Sequence, residues 1–252
     1  MKFGRILQTL LLIIALGVFI YSGYHVYDYW HETKASKDAV GGLIDDAVSE
    51  NTATPAPHKD YDEVAPITVD FDKLRQTNSE VVGWIYSADT PINNPIAQAD
   101  DNSKYLYQLF DGSWNANGCI FLDFRNSSDF SDFMSTLHGH HMINRTMFGS
   151  LSYYKDQSYF DKHPTMYLMT PEQNYRIELV AGRITDIDSV VYDLNYTTDA
   201  QKQELLDFML AGTTFQSGIE ASIEDKFLLL STCSYEFDNA RYVVLGRMVE
   251  IG

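Results

Sequence analysis

The apolar and polar positions divide the chain into three parts with different predicted structures. Residues 6–26 form an uncharged apolar run, long enough to cross a hydrocarbon core of about 30 Å as a helix. Residues 27–65 are largely polar and acidic and contain prolines, without sustained periodicity, which predicts a stalk or linker with a short helix near residues 37–48. Residues 66–252 alternate short β-like runs with turn residues, which predicts a folded domain.

Six runs in the folded part are predicted to be β-strands. Residues 175–181 alternate polar and apolar side chains, as a half-buried antiparallel strand does. Residues 227–230 are continuously apolar, which favours a strand covered on both faces. The six strand candidates are residues 81–86, 118–123, 166–169, 175–181, 227–233 and 242–251.

Two segments are predicted to be helices. Residues 69–78 carry apolar side chains at helical spacing, and residues 199–211 make the stronger prediction. Thr198 and Gln201 form the sequence pattern of a capping box at the start of the second segment, and Gly212 ends it. The whole pattern predicts a mainly β domain, a barrel or a sandwich, with a few helices attached.

The charges beside the apolar run predict its orientation in a membrane. Lys2 and Arg5 precede the run, and the positive-inside rule places a short basic end of this kind in the cytoplasm. A cleaved signal peptide is the alternative, but no clear small-x-small cleavage site follows the run. We therefore expect an uncleaved anchor in the cell membrane. The expected parts are a cytoplasmic tip (1–5), a transmembrane signal anchor (6–26), an acidic stalk (27–65) and a folded extracellular domain (66–252).

Composition excludes several classes of function. The 252 residues include 18 Lys and Arg against 35 Asp and Glu, a formal net charge of −17, which argues against a surface that binds nucleic acid. Two cysteines are too few for a disulfide framework or a cysteine-rich zinc site.

Cys233 is the candidate nucleophile. It ends the most apolar predicted strand, yet its neighbours Ser231, Thr232 and Ser234 are small and hydroxylic, unlike those of a fully buried thiol. Arg241 begins the next strand, so a hairpin would place it opposite Cys233, where a guanidinium favours a thiolate and can hold an oxyanion. The alternatives are a buried structural thiol and an Arg241 that pairs with an acidic residue of the loop, Glu236 or Asp238.

The candidate proton shuttle lies in a cluster of three histidines. His138, His140 and His141 surround Gly139, and a strand-end imidazole presented to a cleft is a suitable general acid. Three imidazoles also suggest zinc, but no acidic or cysteine ligand stands at helical spacing beside them. Cys119 is interpreted as a small packing residue. A disulfide between the two cysteines is the alternative, and it would remove the nucleophile.

Several sequence blocks in one order resemble the class B sortases, the membrane-anchored cysteine transpeptidases of Gram-positive bacteria. The similarity extends from about Phe71 to the C-terminus. The blocks are VVGWI (81–85), NNPIAQ (93–98), DNSKYL (101–106), GCIFLDFRN (118–126), GHHM (139–142), TMF (146–148), LSTC (230–233) and YEFDNAR (235–241).

The resemblance implies a fold and a set of site residues. It implies an eight-stranded sortase β-barrel with N-terminal helices and a helix before the cysteine strand, and it implies no cofactor. His140, Cys233 and Arg241 take the positions of the family's catalytic residues. Ser231 and Asn93 take positions that suggest substrate contacts.

The resemblance also implies a reaction. A sortase cleaves a C-terminal sorting signal of secreted proteins after Thr, here expected to resemble Asn-Pro-x-Thr, through a thioacyl-enzyme. It then transfers the protein to an amine of the cell-wall peptidoglycan precursor. A pilin-polymerising sortase with a pilin Lys as acceptor, a secreted cysteine peptidase and an inactive tethered binding module are the alternatives.

Three positions depart from the family pattern. His138 stands where the family usually has Tyr, Leu229 replaces the first Thr of its Thr-Leu-Ser-Thr-Cys block, and Cys119 replaces a common Ser or Thr. His138 bears on which sorting signal is preferred.

Overall fold

The computed structural model describes residues 2–51 and 63–252, so residues 52–62 of the predicted stalk lie outside the described residues. The α-helices are α1 (Lys2–Ala47), α2 (Phe71–Thr77), α3 (Gln157–Phe160) and α4 (Asp199–Ala211). The strands are β1 (Val48–Glu50), β2 (Ile67–Val69), β3 (Val81–Tyr86), β4 (Asn93–Ala97), β5 (Ile120–Leu122), β6 (Met134–His138), β7 (Thr165–Met169), β8 (Asn174–Thr185), β9 (Phe227–Cys233) and β10 (Arg241–Ile251). Short 3₁₀ helices cover Lys104–Leu106, Gly149–Lys155 and Val190–Tyr192.

Eight strands close into a barrel in the order β10-β8-β7-β3-β4-β5-β6-β9, and the β9–β10 pair completes the circle. The β4–β5 and β6–β9 pairs are parallel, and the other neighbours are antiparallel. The predicted mainly β fold and the eight-stranded barrel are therefore confirmed.

The strand that ends in Cys233 is buried on both of its faces, as its apolar run predicts. Leu228 and Leu230 point into the barrel core, while Phe227 and Leu229 pack on the outside with residues of α4. All four side chains are fully buried, which fixes the first half of β9 in the packed core.

The helix before β9 covers the barrel next to that strand and has the predicted bounds. The Thr198 hydroxyl accepts a hydrogen bond from Gln201 N, and the Gln201 side chain accepts one from Thr198 N. Both hydrogen bonds of the capping box are therefore present. Leu205 and Met209 on its inner face are fully buried.

Two barrel strands are not among the predicted ones. β4 contains Pro95, and a proline inside a run argues against a strand in sequence reasoning. β6 contains Ser135 and Thr136, which are fully buried although their type suggests a surface loop. Barrel closure, a long-range effect, overrides these local signals.

The helix expected near residues 37–48 forms the last part of α1, which is continuous with the apolar segment. Leu43, Ile44 and Ala47 pack with α2 residues such as Leu74, and β1 then pairs with β2. Residues 31–50 of the predicted stalk are therefore packed structure and not a simple spacer. Its apolar side chains recur at helical spacing and cover one side of the barrel.

The first part of α1 exposes its apolar side chains. Between Ile6 and Trp30 the large hydrophobic residues are 40% to 75% exposed, and the helix is long and apolar enough to cross a membrane. In a water-soluble helix such a surface would be unfavourable, so this segment is a candidate membrane anchor.

Candidate active site

The β9–β10 hairpin places Cys233 opposite Arg241. The two residues are direct antiparallel partners, and residues 234–240 form the loop, as the sequence predicts. Ser234 N donates to Ala240 O at 2.9 Å. Because hydrogen-bonded and non-hydrogen-bonded pairs alternate along an antiparallel ladder, Cys233 and Arg241 form a non-hydrogen-bonded pair, in which side chains stand closest together.

The parallel pairing of β6 with β9 brings the histidine cluster to the same end of the barrel. His138 lies beside Ser231, and Gly139 N donates to Ser231 O at 3.1 Å. A Cβ on Gly139 would come within 2.7 Å of the Phe148 ring, so glycine is required where the chain leaves the strand. His140 then follows directly at the rim of the site.

One groove of about 210 Å³ contains all three predicted catalytic residues. Cys233 is a partly exposed free thiol, and both His140 and Arg241 are also partly exposed. The groove is lined by Asn102, Leu106, Phe121, His138, Gly139, His140, Ser231, Thr232, Cys233 and Arg241. A nucleophile, a proton donor and an oxyanion donor can therefore act on one bound carbonyl group.

The protonation of His140 follows from its partner. His140 Nε2 lies 2.8 Å from Leu106 O, and a carbonyl oxygen can only accept, so Nε2 carries a proton. Nδ1 is then the nitrogen that gains a proton when the ring becomes an imidazolium, and the one that can give a proton away.

The guanidinium of Arg241 does not form an ion pair with the acidic residues of the loop, Glu236 and Asp238. Glu236 binds Lys155 and Ser234 instead, and Arg241 donates to the backbone carbonyl of Ala240 at 3.0 Å. Within residues 63–252 Arg241 forms no ion pair, so its remaining donors can reach a substrate.

Asn93 is not brought into this groove. Its Oδ1 accepts a 2.7 Å hydrogen bond from Trp84 Nε1, and it lines a separate groove beneath α1. Asn102 and Leu106 occupy the groove instead. Both belong to the DNSKYL block (101–106), one of the blocks that carry the family resemblance. The chemistry of neither residue alone indicates a place in the site.

Comparison with known proteins identifies the family. No family model matches the chain. Over 251 residues it is 30% identical to sortase B of Listeria monocytogenes serovar 1/2a, with 99% of each protein covered. The chain belongs to the sortase B family. Sortase B of Staphylococcus aureus is 26% identical over 252 residues, with 99% of this chain and 98% of that protein covered.

Solved sortase B structures share the fold. A Bacillus anthracis protein similar to sortase B has a TM-score of 0.73 at 29% identity, covering 89% of this chain and 99% of that one. The Staphylococcus aureus sortase B–substrate complex has a TM-score of 0.69 at 27% identity, covering 72% and 85%. The predicted class B sortase is confirmed, and the protein is a cysteine transpeptidase.

In this sortase, a buried carboxylate supports one wall of the groove. Asp123 is fully buried and accepts bonds from Arg125 Nε and Nη2, both at 2.9 Å, from Asn102 Nδ2 at 2.9 Å and from His138 Nε2 at 3.0 Å. Burial alone would raise the pKa of Asp123, but the hydrogen bonds from Arg125 and His138 outweigh it, so this pKa lies well below its usual value. An ionised Asp123 thus fixes two groove side chains.

Asp123→Asn is expected to lower the free energy of unfolding by about 3 kcal/mol at neutral pH, because one partner leaves a buried charged network. The folded pKa of Asp123 lies below the unfolded value of about 3.9, so its contribution is present above that value and is lost as the pH falls through the folded pKa. The difference between the two proteins should therefore shrink below about pH 5. Urea unfolding at neutral and acidic pH measures it, and a pH-independent difference would contradict the ionised network.

Ser231 has a hydrogen-bond partner at the groove. Its hydroxyl lies 2.7 Å from that of Tyr192, and burial raises the pKa of Tyr192, which keeps the phenol protonated. The Tyr192 ring also stacks on His138, with centroids 6.4 Å apart. The hydroxyl of Ser231 is therefore held in place at the groove wall.

The second cysteine of this sortase is a packing residue. Cys119 is buried and free, and burial raises the pKa of its thiol to about 12, which keeps it unreactive. Because Cys233 is also free, no disulfide links the two. Among residues 2–51 and 63–252, no three His, Cys, Asp or Glu side chains converge to hold a metal ion.

Proposed function

We propose that this sortase cleaves a C-terminal sorting signal after Thr and joins the secreted protein to an amine of the cell-wall precursor. The observation that carries the proposal is the direct pairing of Cys233 with Arg241 at the rim that His140 shares. This combination supplies a nucleophile, an oxyanion donor and a proton donor for acyl transfer.

Acylation uses each of the three groups once. The Cys233 thiolate attacks the Thr carbonyl carbon, and the electron pair moves to the carbonyl oxygen, which Arg241 stabilises. Collapse of the tetrahedral intermediate breaks the C–N bond, and His140 gives its proton to the leaving amine. The product is a thioester on Cys233 and a free C-terminal fragment.

Deacylation reverses these roles with a new amine. The acceptor amine attacks the thioester, loses a proton to His140 and expels the Cys233 thiolate. Arg241 again holds the oxyanion. The new amide joins the secreted protein to its acceptor, and the enzyme returns to its starting state.

The groove supports binding of a peptide. Ser231 and Asn102 present fixed polar groups beside Cys233, and Leu106 adds an apolar surface. Among the relatives, sortase B of Staphylococcus aureus has been solved as a complex with a substrate. We assign Ser231 to substrate contact here. Asn93, which binds Trp84 instead, is not part of this assignment.

The N-terminal helix supports an anchored enzyme. We propose that residues 6–26, which as a helix extend about 32 Å, cross the cell membrane with residues 1–5 in the cytoplasm. The catalytic domain, residues 66–252, then faces the outside, where secreted substrates and wall precursors are found. Residues 27–65 connect the two.

The acceptor distinguishes this proposal from its alternatives. The full-length protein in detergent micelles is mixed with a fluorescent peptide containing Asn-Pro-x-Thr and with a peptidoglycan stem-peptide amine or a pilin-derived Lys peptide. We expect an amide product with the stem-peptide amine. Ligation to the pilin peptide alone would favour a pilin polymerase. Hydrolysis alone, unchanged by either amine, would indicate a peptidase and contradict the proposal.

A further inference from the structure

We propose that His141 is a positioning residue that holds the backbone carbonyl of the nucleophile Cys233. His141 Nδ1 lies 2.9 Å from Cys233 O. The inference rests on the proposed function through the role of Cys233. It gives the two adjacent histidines separate tasks, with His140 as the proton donor and His141 as the support of the cysteine backbone.

The acceptor fixes the tautomer of His141. A carbonyl oxygen has no proton to give, so the hydrogen must reside on Nδ1 of the imidazole. The pKa of His141 lies below its usual value, mainly because of burial, although the bond to Cys233 opposes the shift. The neutral ring with its proton on Nδ1 is therefore the form expected at neutral pH, and its Nε2 has no proton to donate.

The hydrogen bond from His141 to Cys233 O replaces a backbone hydrogen bond that is missing from the β6–β9 pair. In this parallel pair Ser231 O accepts from Gly139 N, so the next carbonyl on the same side of β9, that of Cys233, would accept from the backbone N of residue 141. The strand β6 ends at His138, and the chain turns so that His141 bridges Met147 instead. The imidazole supplies the donor that the backbone no longer offers.

The antiparallel neighbour β10 cannot supply a hydrogen-bond donor to the Cys233 carbonyl either. Because Cys233 and Arg241 form a non-hydrogen-bonded pair, the backbone groups of Cys233 point away from β10 and towards β6. Without His141 this carbonyl would lose its partner in a part-buried position, which costs free energy or admits water.

The hydrogen bond from His141 acts on Cys233, the nucleophile, whose position relative to the bound carbonyl determines the rate. The peptide plane that contains the Cys233 carbonyl sets the end of β9, and with it the direction of the thiol towards Arg241 and the bound carbonyl. The His141 ring is itself held edge-on against Tyr235, with centroids 5.3 Å apart. A shift of about 1 Å in a reacting atom can cost roughly 100-fold in rate.

The test compares two variants of similar size in the full-length protein. His141→Leu removes the donor, whereas His141→Asn keeps an N–H near the position of Nδ1. We expect kcat for peptide-to-amine transfer to fall about 10- to 100-fold in His141→Leu, with KM changed less than about 2-fold, and to recover at least several-fold in His141→Asn. His163→Leu, outside the groove, is the matched control and should keep wild-type kinetics.

A second measurement is independent of how the variants fold. In ¹⁵N-histidine-labelled wild type at neutral pH, the Nδ1 resonance of His141, assigned by sequential connectivity, should be that of a protonated nitrogen. An unprotonated Nδ1, or a folded His141→Leu enzyme with wild-type kcat, would overturn the inference. If Cys233→Ala remained active, the proposed function itself would fail instead, so the two failures are distinguishable.

Discussion

Cys233→Ala is expected to lower kcat/KM for peptide-to-amine transfer by at least about 10⁴-fold. Alanine leaves the groove, His140 and Arg241 in place but removes the atom that forms the thioester, so no covalent route remains. The loss should be in kcat, because the chemical step requires the sulfur while the other residues that line the groove remain in place. Initial rates with the fluorescent peptide and a saturating amine measure it.

The other cysteine provides the matched control. Cys119→Ala removes a buried thiol outside the groove and should leave kcat/KM within a few-fold of wild type. Mild alkylation of the wild-type protein should label Cys233 and spare Cys119, since burial raises the pKa of Cys119. Comparable activity of Cys233→Ala and wild type would remove Cys233 from the mechanism.

Arg241→Ala is expected to lower kcat by roughly 10²- to 10³-fold, the usual effect of losing one oxyanion donor. The loss should appear equally in kcat and in kcat/KM, because the developing oxyanion exists only in the transition state. Arg241→Lys should recover only part of it, since an ammonium is a point charge without the planar fork of a guanidinium.

A surface arginine outside the groove is the control for Arg241. Arg75→Ala breaks an exposed pair with Asp72 on α2, and we expect near wild-type rates from it. If Arg241→Ala instead raised KM with kcat unchanged, Arg241 would bind the peptide and would not stabilise the oxyanion.

The core of the site was predictable from local sequence because two strong patterns meet there. The apolar run of β9 ends at Cys233, β10 begins at Arg241, and the seven-residue loop between them includes Ser234, Asp238 and Asn239, so the sequence predicts a hairpin. Direct cross-strand pairing then followed from the register. The capped helix α4 was equally well marked, because its signals lie within a few residues of each other.

The groove wall was not predictable in this way because long-range pairing builds it. β6 carries buried Ser135 and Thr136, and its parallel pairing with β9 depends on closing the barrel. Asn102 and Asp123 meet only through tertiary contacts, so their roles as wall and support could not be read from spacing. Tertiary structure also decides the position of Asn93, for which the resemblance suggests a substrate contact. Its side chain accepts a hydrogen bond from Trp84 and lies outside the groove.

The stalk shows how composition can hide a packed element. Acidic and small residues dilute the apolar positions of α1, yet Leu43, Ile44 and Ala47 fall on one face and cover the barrel. A face of this kind becomes evident only when the surface that it covers is known.

The proposed mechanism requires a thioester between Cys233 and a peptide that ends in Thr. Intact-mass and peptide-level mass spectrometry of the full-length protein, incubated with the sorting peptide in the absence of an amine and quenched in acid, tests it most directly. We expect one acyl group ending in Thr on Cys233, discharged by added amine at the rate of product formation. Product formed without this adduct, or an adduct on another residue, would contradict it.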